Sequence, residues 1–116
     1  MLFVCYPKCS TCQKARKWLE ANGLAFEERH IKDENPTAEE LRDWCARSGL
    51  PLKRFFNTSG LLYKELRLRE RLPEMSEDEQ LVLLASDGML VRRPVLIAGE
   101  RVLVGFREAD WAKALL

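Results

Sequence analysis

Cys9 and Cys12 form a C-x-x-C pair, Cys9-Ser10-Thr11-Cys12, just after the apolar run Leu2-Phe3-Val4-Cys5-Tyr6 and its stop at Pro7. A thiol reacts as its thiolate, so its environment decides how much is available below the free pKa of about 8.5. Free amides at a helix start favour negative charge. Ser10 or Thr11 is predicted to cap a helix over about Cys12 to Asn22. The Cys9 sulfur then faces those amides, which makes Cys9 the expected nucleophile. Cys12, about one turn on, is more shielded and is the expected resolving thiol, able to displace a partner bonded to Cys9. Lys8 and Lys14 add positive charge nearby.

Other chemistries fit the cysteines less well. One C-x-x-C is half of a tetrahedral zinc site, and His30 and Cys45 are not spaced as its second half. Cys5-x3-Cys9-x2-Cys12 has the spacing of the iron–sulfur triad of radical S-adenosylmethionine enzymes. Thr11, however, stands where those enzymes carry an aromatic, and 116 residues are too few for their barrel. Cys5 and Cys45 are expected to be inert packing thiols. No metal site is expected.

The elements that must position Cys9 follow from local signals. Leu2 to Tyr6 suits a strand buried on both faces. Ala15, Trp18, Leu19 and Ala21 give the first helix an apolar stripe, Gly23 ends it, and Leu24 to Ile31 suits a second strand. Thr37 with Glu40, and Ser76 with Glu79, are capping-box signatures for helices that follow. Gly49-Leu50-Pro51 closes the first of these, Asn57-Thr58-Ser59-Gly60 is a turn by composition, and Tyr63 to Leu68 is predicted to be a further helix. No strand is expected between about Asn35 and Asp87. Pro94 to Ala98 and Arg101 to Val104 form a hairpin about Gly99-Glu100. Glu108 to Leu116 closes the chain as a helix with Ala109, Ala112, Leu115 and Leu116 inward. Trp18 and Trp44 are expected in the core and Trp111 partly buried on a helix surface.

The resulting order is β-α-β, then helices, then β-β-α. It predicts an α/β, thioredoxin-like mixed sheet with a helical insertion at about 35–87, all in one domain spanning 1–116. In such an arrangement the proline opening the third strand is commonly cis and lies beside the redox cysteine. Arg93, just before Pro94, can then approach an anionic sulfur or oxyanion. Cys9, Cys12 and Arg93 are the candidate catalytic residues; Ser10, Thr11 and Pro94 are the candidate substrate-binding ones. Arg92 is a weaker candidate, and His30 is expected to be a surface or packing residue.

Composition sets the setting. Lys and Arg number 19 against 18 Asp and Glu, a net charge of +1, so no overall field favours direct nucleic-acid binding or an anionic membrane. No apolar stretch approaches the roughly 20 residues of a membrane helix. The N-terminus lacks a signal-peptide layout, and the clustered cysteines do not resemble a secreted disulfide scaffold. A cytoplasmic location is expected.

Several segments together resemble the arsenate reductase–related family: Pro7-Lys8-Cys9-Ser10-Thr11-Cys12 with Lys14 to Leu19, Phe56 to Gly60 with Tyr63-Lys64-Glu65-Leu66, Arg92-Arg93-Pro94, and Val104-Gly105-Phe106. The family includes glutaredoxin-coupled arsenate reductases and Spx-type regulators that bind bacterial RNA polymerase. The resemblance implies Cys9 as the catalytic cysteine and Arg93 as the arginine before the family's proline. Cys12 stands where the reductases usually have serine, as in Spx-type members. Two further arginines of the reductases fall on Asn57 and near Gly105, which removes charge that would hold arsenate. Arg54 and Arg107 lie nearby but are not expected to replace them. The resemblance thus implies a thiol–disulfide reductase with no bound cofactor, and glutathione or a glutaredoxin-like protein as electron donor. The alternative it implies is a redox-responsive regulator whose partner is the RNA polymerase α subunit.

Overall fold

The computed structural model describes residues 1–116. Its strands are β1 (Leu2–Cys5), β2 (Glu27–His30), β3 (Val95–Ala98) and β4 (Arg101–Val104). They form one sheet in the order β2-β1-β3-β4, with β1 parallel to β2 and antiparallel to β3, and β3 antiparallel to β4. β1 is central because it is apolar on both faces: Phe3, Val4 and Cys5 are all fully buried. β2, Glu27-Glu28-Arg29-His30, is charged, as suits an exposed edge.

Strand alternation divides the core into two layers. Val4, Val95 and Val102 face one way, onto α2 (Ala38–Ser48) and α5 (Glu77–Ser86) through Leu41, Trp44, Leu81 and Leu84. Phe3, Cys5 and Leu96 face the other way, onto α1 (Ser10–Ala21) and α6 (Glu108–Leu115) through Cys12, Ala15, Leu19 and Trp111. The order is the expected thioredoxin-like one, with a run of helices between β2 and β3. No helix is long and apolar enough to cross a membrane.

Both capping boxes form. The Thr37 side chain accepts from the Glu40 amide and the Ser76 side chain from the Glu79 amide, each at 3.1 Å, and both glutamates reach back. Elsewhere the structure departs from expectation. α1 begins at Ser10, and its cap is Cys9 itself, with no hydroxyl cap from Ser10 or Thr11. The expected helix from Tyr63 to Leu68 is two short pieces, α3 (Leu61–Glu65) and α4 (Leu68–Arg71), separated at Arg67 with φ 56°. The break turns the chain so that Leu68 enters the core, fully buried. Trp111 is 1% exposed rather than a surface residue, because its indole N–H finds the Gly105 carbonyl at 3.0 Å inside the α1–α6 layer. Ala109 and Leu116 are exposed rather than inward.

Candidate active site

Pro7 and Lys8 turn the chain out of β1, and the Cys9 amide donates to the Tyr6 carbonyl at 2.9 Å. This brings Cys9 to the extended cap position of α1, with φ −82° and ψ 124°. All four cysteines are free thiols, and Cys9 is half-buried. Burial pushes its thiol up, but hydrogen bonds from the Cys12 amide, the Cys12 thiol, the Thr11 amide and the Arg93 side chain outweigh that, and its pKa is lowered. The side-chain cation acting on the sulfur is therefore Arg93 rather than Lys8 or Lys14, which are exposed.

Cys12 differs in every respect. It is 1% exposed, its sulfur accepts the Tyr6 amide at 3.4 Å, and burial pushes its pKa up to about 12. The pair thus consists of one acidified, accessible sulfur and one protonated, shielded sulfur that donates to it. That difference is what separates an attacking thiol from a resolving one.

Cys5 packs in the same layer as Cys12, and burial raises it to about 11. Cys45 is raised by burial and donates to the Leu50 carbonyl at 3.4 Å. His30 lies at the end of β2, where its Nδ1 accepts the Lys32 and Asp33 amides, both at 3.2 Å. It serves the turn and lies off the cavity at Cys9. The cysteines, His30 and the acidic side chains form no cluster arranged to hold a metal ion.

Cys9 opens onto a cavity of about 670 Å³, within the range of small-molecule sites. Of the predicted residues, Cys9, Thr11 and Arg93 line it. Cys12 lies behind the wall, as does the buried Pro94, which is joined to Arg93 by a cis peptide and accepts the Gly105 amide at 2.8 Å. Ser10 is exposed and does not line the cavity.

Three further guanidinium groups line the cavity: Arg54, Arg92 and Arg107. Arg54 and Arg107, which are not expected to stand in for the missing arginines, do lie on this wall. The three come from the 3-10 turn Leu52–Phe55, the approach to β3 and the approach to α6, so nothing in their sequence spacing joins them. Asn57, at one departure from the reductase pattern, also lines the cavity, and its own carbonyl and side chain shape the turn to Ser59 and Gly60.

The model of the ArsC family matches residues 5–114. The uncharacterized protein YusI of Bacillus subtilis is 57% identical, over 97% of this chain and 98% of its own. The regulatory protein MgsR of the same organism is 32% identical, over 97% of this chain and 88% of its own. A crystal structure of a putative ArsC family related protein from Bacteroides fragilis superposes with a TM-score of 0.94 at 55% identity, covering 97% of this chain and 94% of that one. A cysteine at the cap of the first helix and an arginine-proline at the third strand thus sit in a chain that matches one family nearly end to end: the protein belongs to the ArsC family.

Proposed function

We propose that the protein is a thiol–disulfide oxidoreductase in which Cys9 attacks and Cys12 resolves. The observation that carries this reading is the lowered pKa of the half-buried Cys9 beside the raised, shielded Cys12. The Cys9 thiolate attacks a disulfide, forming a mixed disulfide and releasing one thiolate. Cys12 then gives its proton to solvent and attacks the Cys9 sulfur, forming the Cys9–Cys12 disulfide and releasing the second thiolate. Glutathione or a glutaredoxin-like protein returns the two electrons. Arg93 supports the anionic sulfur at each stage.

The test is the alkylation rate of each cysteine against pH, read by mass spectrometry on reduced protein. Cys9 should titrate below about 8.5 with the other three unreactive; an unshifted or unreactive Cys9 overturns the proposal. Cys12→Ser should then trap a mixed disulfide on Cys9. A variant that traps nothing and turns over like the parent removes the resolving role.

The 32% identity to the regulatory protein MgsR supports a second reading. In it the Cys9–Cys12 pair switches a surface for the RNA polymerase α subunit, with no turnover. Co-purification of that subunit in a reductant-dependent yield favours this reading. Turnover of a disulfide with no retained polymerase favours the first.

A further inference from the structure

The arginines at the cavity are unlike most others in the chain. Arg16, Arg29, Arg42, Arg47 and Arg67 each pair with a protein carboxylate. Arg54, Arg92, Arg93 and Arg107 pair with none, yet all four line the cavity at Cys9, against Asp110 as its single acidic residue. Arg93 is engaged by the Cys9 sulfur. The other three leave an excess of positive charge with no partner in the protein. Crowding like charges in a concave wall is unfavourable until an anion enters, and the wall focuses the field on whatever does.

Arg92 has a built seat. Gly105, at the end of β4, has φ +73°, and a β-carbon there would stand 2.9 Å from Arg92 Nε. The absence of a side chain at 105 is what lets the guanidinium lie against the strand end. That strand end is held firmly: the Gly105 amide donates to Pro94, and its carbonyl accepts the Trp111 indole N–H at 3.0 Å. The region in which the reductases carry an arginine is here the floor under Arg92, which comes from the approach to β3.

We propose that Arg92, with Arg54 and Arg107, forms a carboxylate subsite apart from Arg93, so that the substrate is a low-molecular-weight disulfide whose thiol halves bear carboxylates. The proposal rests on Cys9 as nucleophile. The concave cavity favours a small molecule over a flat protein surface, and planar guanidinium forks match carboxylates. The Cys9 thiolate bonds to one sulfur of the disulfide. The other half departs as a thiolate with the electron pair of the broken bond, and its carboxylate is held at Arg92 while the bond breaks.

The test uses two disulfides of one shape, dianionic dithiodibutyrate and its neutral amide, and follows oxidation of Cys9 in the full chain. The readout is the ratio of the two second-order rate constants, which divides out changes in Cys9 itself. The ratio should favour the dianion by about tenfold or more at low salt and fall as salt rises. Arg92→Gln should lower it at least about threefold, with Arg54→Gln and Arg107→Gln acting in the same direction. Arg69→Gln, on an exposed part of α4 away from the cavity, should leave it unchanged. Gly105→Ala should lower it like Arg92→Gln, and if that variant does not fold, Arg92→Gln alone decides. A ratio near one, or one that Arg92→Gln does not move, overturns the subsite while reaction of the amide leaves Cys9 in place as nucleophile. If neither disulfide oxidises Cys9, the thiol reading and the subsite fall together.

Discussion

The Arg93 guanidinium lies over the Tyr6 ring, 5.4 Å from its centroid, and the backbone amide of the same Tyr6 donates to the Cys12 sulfur at 3.4 Å. One residue at the end of β1 therefore touches both partners of Cys9: the cation that stabilises its thiolate and the thiol placed to resolve it. The ring is itself held edge-on against His30, at 5.7 Å. Besides its hydrogen bond to the Cys9 sulfur, the Arg93 side chain donates a long 3.4 Å hydrogen bond to the Met89 carbonyl. Its aim at Cys9 thus depends largely on Tyr6.

Tyr6→Leu should accordingly raise the Cys9 pKa, and Tyr6→Phe should not. A partly exposed cation–π contact is worth roughly 0.5–1 kcal/mol, which corresponds to about 2- to 5-fold slower alkylation of Cys9 at pH 7. The pH profile of alkylation checks this, because a purely structural loss would lower the rate without moving the midpoint. Tyr6→Phe restoring the parent profile separates the ring from the hydroxyl.

The buried thiols predict the opposite pH trend for stability. Cys5 and Cys12 have folded pKa values of about 11 and about 12, above the unfolded value near 8.5. The unfolded chain releases these protons first, so stability falls as pH rises above about 8.5 and goes on falling up to the folded values. The lowered Cys9 works the other way: its contribution is present above the unfolded value and is lost as pH falls through the folded one. Urea unfolding of reduced protein at pH 8 and pH 10 should show a loss of roughly 1–2 kcal/mol for each buried thiol. Cys5→Ala should be less stable at pH 8 but lose less between the two pH values. An equal loss in both proteins would sink the attribution to Cys5.

What was legible in the sequence was what local chemistry determines. The apolar run of β1, the inward Ala15 and Leu19 of α1, both capping boxes and the Gly99-Glu100 hairpin each depend on residues within a few positions of one another, whereas Trp18 of the same expected stripe is only half-buried and Ala21 is exposed. The Cys9 nucleophile was suggested for the same reason, although its sulfur proved to stand at the cap itself. Arg54, Arg92 and Arg107 were not legible as a set, because only the sheet order brings a 3-10 turn, the approach to β3 and the approach to α6 to one cavity. The full burial of Trp111 has no local signal, since its indole partner, Gly105, belongs to a strand end rather than to its own helix. The break at Arg67 carried no glycine or proline to announce it.

A second linkage sits far from the cysteines. Arg29 on β2 donates to both oxygens of Glu40 on α2, at 2.6 and 2.9 Å, while Glu40 also closes the capping box with Thr37. The Arg29 hydrogen bonds are the main reason the Glu40 carboxyl lies at about 2. Its stabilising effect is thus present above the unfolded value near 4.3 and is lost as pH falls through about 2. The side chain is 34% exposed, so solvent screening reduces the effect to about 1–2 kcal/mol. Glu40→Gln should cost that much at pH 7 and nearly nothing at pH 2. Urea midpoints at both pH values test it, and an equal cost at the two would mean that the cap, not the ion pair, carries the effect.

Gly88 tests how tightly the helical run is tied to the sheet. It begins the 3-10 turn Gly88–Leu90 that leads toward Arg92 and Arg93, and it is buried against the chain leaving β2. A β-carbon at 88 would overlap the Ile31 carbonyl and stand 3.1 Å from the Lys32 α-carbon. Both are backbone atoms, so no side chain can swing aside to relieve the overlap. Gly88→Ala should therefore cost at least about 3 kcal/mol or prevent folding. A folded variant should also show slower Cys9 alkylation at pH 7, because Met89, whose carbonyl accepts from Arg93, must move with residue 88. Alanine tolerated at 88 with unchanged Cys9 reactivity would mean that the Gly88–Ile31 approach neither limits the packing nor positions Arg93.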